Sequence, residues 1–144
     1  KHYLFSWVVK NNALSNNVTS GLADYFTENS FKELYKIMAN NKLKKVTIDN
    51  TTLEHNLKLE FYSEDGQQAV LTDNNVVEFQ NVYKDKKFIA SIKDTSTYKA
   101  VLLLEDGYWR VRHFLKTSKQ EIQKKAKSFG IFEVKNKRIY NINL

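Results

Sequence analysis

The chain has 144 residues, of which 42% are hydrophobic, 13% aromatic and 27% charged. That is enough chain for one domain with a real core, and the composition excludes disorder. Cysteine is absent, which excludes disulfides, thiolate nucleophiles and cysteine-based zinc sites, and no run approaches the roughly 18 apolar residues of a membrane span. The net charge of +7 is uneven: residues 1–72 carry eight Lys and eight acidic groups, whereas residues 73–144 carry fifteen Lys or Arg and eight acids.

His2 to Leu14 is predicted as a helix, although Val8-Val9 is β-branched and weakens it. The segment Tyr3-Leu4-Phe5-Ser6-Trp7-Val8-Val9 is too short to span a membrane and lacks a cleavage site behind it, so it reads as core-facing. Val18 to Phe26 is predicted as a short helix with Leu22, Tyr25 and Phe26 on one face. Ser30 and Glu33 form a capping box, and Phe31, Leu34, Tyr35 and Met38 follow at helical spacing until Asn40-Asn41.

From Val46 the period changes to two. Leu53, His55, Leu57, Leu59 and Phe61 are expected on one strand face, with Glu64-Asp65-Gly66 as a turn and Gln67 to Thr72 returning. Asn74-Asn75 reads as a break. Val76 to Tyr83 is the next strand, Lys84-Asp85-Lys86-Lys87 a charged turn, and Phe88 to Lys93 its return. Tyr98 to Leu104 and Tyr108 to Leu115 flank Glu105-Asp106-Gly107, a strong local hairpin signal. Proline is absent, so every turn falls to Asn, Asp, Gly, Ser and Lys. The sum is an α+β domain over 1–116, with N-terminal helices packed in a strongly curved antiparallel sheet of five or six strands.

Residues 117–144 read as a basic connector. Ser118 and Glu121 make a second capping box, Ile122, Ala126 and Phe129 share a helix face, and Gly130 stops it. Ile131 to Val134 and Ile139 to Ile142 then flank Lys135-Asn136-Lys137-Arg138 as a hairpin. A start at Lys1 and a stop at Leu144 inside a strand pattern lead us to expect a fragment of a larger protein. The abundance of Asn and Lys points to an AT-rich bacterial genome.

Helices first, then long strands ending in Glu105-Asp106-Gly107-Tyr108-Trp109-Arg110-Val111, resembles the nuclear-transport-factor-2-like superfamily, the cystatin-like α+β roll. The resemblance implies a cone whose interior houses acid–base residues in the superfamily's enzymes, and pairing through the sheet in dimers. Separately, Lys137-Arg138-Ile139-Tyr140-Asn141-Ile142-Asn143-Leu144 resembles the strand that leads into a glycoside-hydrolase-like barrel in large Bacteroidetes envelope proteins. That implies an accessory domain of a glycosidase-like parent in the cell envelope or periplasm.

Five residues are candidates for ligand binding: His55, Trp109, Arg110, Arg112 and His113. His55 lies in an apolar row; a lone His there is first a core residue bonded to a neighbour, and only then an acid–base group. Strand alternation puts Trp109, Val111 and His113 on one face and Tyr108, Arg110, Arg112 and Phe114 on the other. The Trp face is expected inward for its large buried area. Were the Arg face inward, the guanidinium forks of Arg110 and Arg112 would suit an anionic ligand.

No catalytic residue, cofactor or metal is assigned. Three dispersed His, four Gly and no nucleophile elbow exclude the recognisable zinc, phosphate-loop and hydrolase signatures. Glu64-Asp65 and Glu105-Asp106 are explained by turns. The function expected is a non-catalytic accessory or interaction module whose partners are a neighbouring domain, a second copy or a carbohydrate stacked on exposed Tyr. The alternative is a small-ligand binder or an isomerase- or dehydratase-like enzyme using the cone. The Lys119–Lys127 segment lacks the aromatic platform that nucleic-acid binding requires; an anionic-polymer role through 116–138 would show as steeply salt-dependent association.

Overall fold

The computed structural model describes residues 1–125. Three helices come first: α1 (His2–Asn16), α2 (Leu22–Tyr25) and α3 (Glu28–Leu43). Five antiparallel strands follow: β1 (Val46–Thr52), β2 (Leu57–Tyr62), β3 (Gln68–Lys84), β4 (Lys87–Glu105) and β5 (Tyr108–Lys125). The sheet order is β1-β3-β4-β5, with β2 also on β3. β1 pairs with the 78–84 half of β3 and β2 with the 69–73 part, so the two short strands share one edge of a long one. This is the α+β cone with helices against the concave face, and Ile48, Val76, Ile92, Tyr98, Ala100 and Val111 line its core.

The helices are held by faces the sequence spells out. α1 buries Tyr3, Ser6, Trp7, Lys10, Ala13 and Leu14, a stripe of three-and-four spacing. It stops where Asn17 turns left-handed at φ 55, its N–H donating to Ala13 O at 2.7 Å. The Asn17 side chain then donates to Val46 O at 2.6 Å and pins the helix end to β1. α3 buries Ser30, Leu34, Met38 and Asn41 at similar spacing.

The predicted turns at Glu64-Asp65-Gly66, Lys84-Asp85-Lys86-Lys87 and Glu105-Asp106-Gly107 are all present, and the last two are two-residue hairpins. Asp106 (φ 51) and Gly107 (φ 80) take the two left-handed positions of a two-residue turn between paired Glu105 and Tyr108. Asp85 (φ 52) and Lys86 (φ 64) do the same between Lys84 and Lys87 without any glycine. The Asp85 N–H donates to Lys45 O at 2.9 Å and offsets part of that strain.

Several expectations are corrected. Ser30 does not cap α3, which begins at Glu28 after Thr27. Entry is set by β5 instead: Thr27 N donates to Val111 O at 2.9 Å, and Ser30 Oγ donates to the same oxygen and to Thr27 O. α3 runs past Asn40-Asn41 to Leu43, because Asn41 falls on the buried face. The run from Val46 to Tyr62 is two strands, not one; residues 53–56 break it, and Leu57, Leu59 and Phe61 are exposed. Asn74-Asn75 is not a strand end but a bulge within β3, with Asn75 at φ 51. Thr117 to Lys125 continues β5 rather than starting a helix at Ser118, since β4 offers a ladder from Ala90 to Thr97 that these residues complete. Ala126, Phe129, Gly130 and the hairpin expected at 131–142 lie outside the described residues.

A second bulge decides which side chains enter the cone. Val101 pairs with His113 and Leu102 with Val111, leaving Arg112 without an opposite residue. Trp109 and Val111 face inward as expected, but past the bulge the alternation flips. Phe114 enters the core, packed on Trp7 and Tyr98 at centroid separations of 5.5 and 4.7 Å. His113 does not stay on the Trp face and instead meets Asn29 Nδ2 at 3.4 Å. Phe114→Ala is therefore expected to cost about 3 kcal/mol in denaturant unfolding. His113→Ala should cost under about 1 kcal/mol. The reverse ranking would mean that the strand alternates without a bulge.

Candidate functional site

The concave face carries more buried charge than a plain core. Asp73, at the β3 bulge, is 1% exposed and accepts three hydrogen bonds. Tyr3 Oη donates to its Oδ2 at 2.9 Å, His55 Nδ1 to the same oxygen at 2.6 Å, and Asn56 N to Oδ1 at 2.8 Å. The imidazole also packs on Trp7, with centroids 5.1 Å apart. This cluster ties the 53–56 break to β3 and α1.

A second cluster also reaches Trp7, through Lys10. Glu78 and Asp94 are fully buried and directly opposite each other in the β3–β4 ladder. Glu78 accepts from Tyr98 Oη at 2.6 Å and Asn50 Nδ2 at 2.7 Å. Asp94 accepts from Ser96 Oγ at 2.8 Å and from Lys116 Nζ at 2.5 Å. Lys10, 3% exposed, sends its Nζ over the Trp7 ring at 4.0 Å, with Phe114 and Tyr98 at 5.2 and 5.3 Å. Burial lowers the Lys10 ammonium to about 8, with Glu78 and Asp94 opposing the shift and Lys116 adding to it. Burial pushes the Tyr98 hydroxyl well above its ordinary range, reinforced by Glu78, and the Tyr3 hydroxyl rises likewise, with Asp73 contributing.

A cavity of about 290 Å³ adjoins this cluster, between α1, α3 and the last two strands. Lys10, Tyr98, Phe114 and Lys116 contribute to its lining, with Leu34 and Ile37 from α3 and Glu33 on the solvent side.

The residues singled out by sequence do not converge there. His55 is inward but belongs to the Asp73 cluster. Trp109 lies by Tyr62, its backbone N–H donating to His2 Nδ1 at 3.1 Å. Arg110 closes its own hairpin, donating to Glu105 O at 3.1 Å with Glu105 and Asp106 carboxylates nearby. Arg112 pairs with Glu28 at 3.3 Å and His113 lies beside Asn29. Sequence reasoning missed Lys10, Asp73, Glu78, Asp94 and Lys116. The spacing Tyr3, Trp7, Lys10, Leu14 was a usable signal for the first, and Val76, Glu78, Gln80, Val82 for the third. Among the described residues no group of three or more His, Asp or Glu is placed to hold a metal ion, and no helix is long and apolar enough to cross a membrane.

No protein-family model matches the sequence, and no curated protein matches it. Solved structures do. The intermembrane-space region of the chloroplast protein ARC6 superposes with a TM-score of 0.70 at 15% identity, covering 81% of this chain and 92% of that one. A type 2 hexachlorocyclohexane dehydrochlorinase, LinA, gives 0.57 at 14% identity, covering 81% and 83%. ActVI-ORFA from Streptomyces coelicolor gives 0.51 at 15%, covering 81% and 94%. These likenesses establish the nuclear-transport-factor-2-like fold.

The buried groups imprint a pH dependence on stability. Lys10 titrates near 8 folded and 10.5 unfolded, so between those values the unfolded chain holds more protons and stability rises with pH. The buried tyrosines act oppositely: above about pH 10 the unfolded phenols ionise while Tyr3 and Tyr98 keep their protons, and stability falls. Urea unfolding from pH 7 to 11 should show a rise from about 8, a maximum near 10 and a decline. Lys10→Met should flatten the rising limb; a limb unchanged in that variant would contradict the assignment.

Proposed function

We propose that this chain is a non-catalytic interaction module within a larger bacterial envelope protein, with glycosidase-like chemistry elsewhere in that protein. The observation that carries this reading is that the interior carboxylates are satisfied by the domain's own side chains: Asp73 by Tyr3 and His55, Glu78 by Tyr98 and Asn50, Asp94 by Ser96 and Lys116. Arg110 and Arg112 are spent on neighbouring acids. A reaction chamber keeps carboxylates facing substrate; here Asp73, Glu78 and Asp94 are outside the cavity lining and stitch strands and helices together. The convex face supports the same reading. Register places Phe61, Val70 and Val101 in one row across β2, β3 and β4, with Phe61 52% exposed and Phe79 41% exposed. The partner is a neighbouring domain or a second copy, and the terminal sequence Lys137 to Leu144 supplies the glycosidase-like context.

The alternative, a ligand-binding or isomerase- or dehydratase-like cone, is favoured by the His55–Asp73 pair at 2.6 Å and by the cavity. The fold serves both kinds of role, since the similar structures include a named enzyme and a named region of a chloroplast protein.

The two readings separate in the full-length protein. As a module, His55→Gln should lower the Tm and leave the protein's activity unchanged once folded. Phe61→Ser with Phe79→Ser should leave the Tm within about 2 °C and weaken association through this domain in sedimentation velocity. Loss of an activity in His55→Gln at unchanged Tm would overturn the module reading.

A further inference from the structure

We infer that Lys10 is a reactive amine site that condenses reversibly with small apolar aldehydes or ketones entering the cavity between α1 and α3. Three observations on this chain converge there. Lys10 is 3% exposed, so its amine is stripped of the water that stabilises an ammonium. It lines a cavity of about 290 Å³, the volume of roughly ten waters. The other walls include Leu14, Leu34, Ile37, Phe114 and Leu115, which suit an apolar chain, with Glu33 and Lys116 as the charged groups of the lining.

The charges around the amine set its reactivity. Glu78 on β3 and Asp94 on β4 favour the ammonium, Lys116 on β5 opposes it, and Glu33 on α3 stands at the solvent side of the cavity. The outcome is an amine that titrates near 8, about two units below an exposed lysine. An amine desolvated in an apolar pocket beside a second cation is the arrangement that makes a lysine nucleophilic at neutral pH.

The step balances without a co-reactant. The Nζ lone pair adds to the carbonyl carbon as the C=O π pair moves to oxygen. A proton passes from nitrogen to that oxygen, the carbinolamine loses water, and a C=N bond remains. Hydrolysis returns the amine and the carbonyl compound.

The test uses the folded chain, hexanal as probe and cyanoborohydride to trap the imine, with peptide mass spectrometry as readout. At pH 8 Lys10 should be alkylated at least tenfold faster than exposed lysines such as Lys36 and Lys99, with a pH midpoint near 8. Ile37→Trp, at the half-buried wall, should block labelling at Lys10 while surface labelling and the circular dichroism spectrum stay unchanged. Labelling of Lys10 no faster than of the surface lysines would overturn the inference, as would undiminished labelling in Ile37→Trp.

Discussion

The structure depends on burying α1 against a sheet whose concave face is partly charged. Trp7 is the centre of that contact: it stacks edge-on to Tyr98 at 4.8 Å, packs on His55 and Phe114, and carries Lys10 above its ring. Removing Glu78 and Asp94 from water is costly unless each oxygen finds a donor. Ser96 is local to Asp94, but the other donors come from distant parts of the chain: Asn50, Tyr98 and Lys116. Satisfying these groups therefore fixes strand register as well as stability. Apolar packing alone tolerates a shifted side chain; a buried carboxylate left without its donor does not.

The same constraint explains the irregularities. Asp73 lies beside the β3 bulge, and the break between β1 and β2 delivers His55 and the Asn56 N–H to it. The β5 bulge at Arg112 turns Phe114 and then Lys116 inward, and Lys116 meets Asp94. Had β5 alternated without interruption, Arg112 and Phe114 would share the face opposite Val111, and Asp94 would lack its cation.

Much of the architecture was legible in the sequence. The Asp106-Gly107 hairpin, the charged turn at Asp85-Lys86 and the helical stripes of α1 and α3 follow from local chemistry, and local chemistry is what a sequence shows. The buried charges were hidden because each reads locally as a surface residue: Lys10 sits among Asn11 and Asn12, and Asp73 beside Asn74 and Asn75. What makes each of them interior is a partner in another element, Asp73 for Tyr3 across seventy residues and Val111 for Ser30 across eighty-one. Bulges were invisible for the same reason, since they are set by the neighbouring strand. The Ser118–Glu121 capping box shows the converse: a helix signal overridden by an unpaired stretch of β4 that needed a ladder.

The central claim is that the interior charges are a matched set that holds the sheet, and a double-mutant cycle on Asp94 and Lys116 tests it most directly. Asp94→Leu and Lys116→Met would each remove one member of the buried ion pair, and each should cost about 3–5 kcal/mol in equilibrium unfolding. The account predicts that the double variant, with both charges replaced by apolar groups, loses much less than the sum and falls close to the parent protein. Additive losses in the double variant would show that the two groups do not act as a pair, and the account of the cone interior would fail.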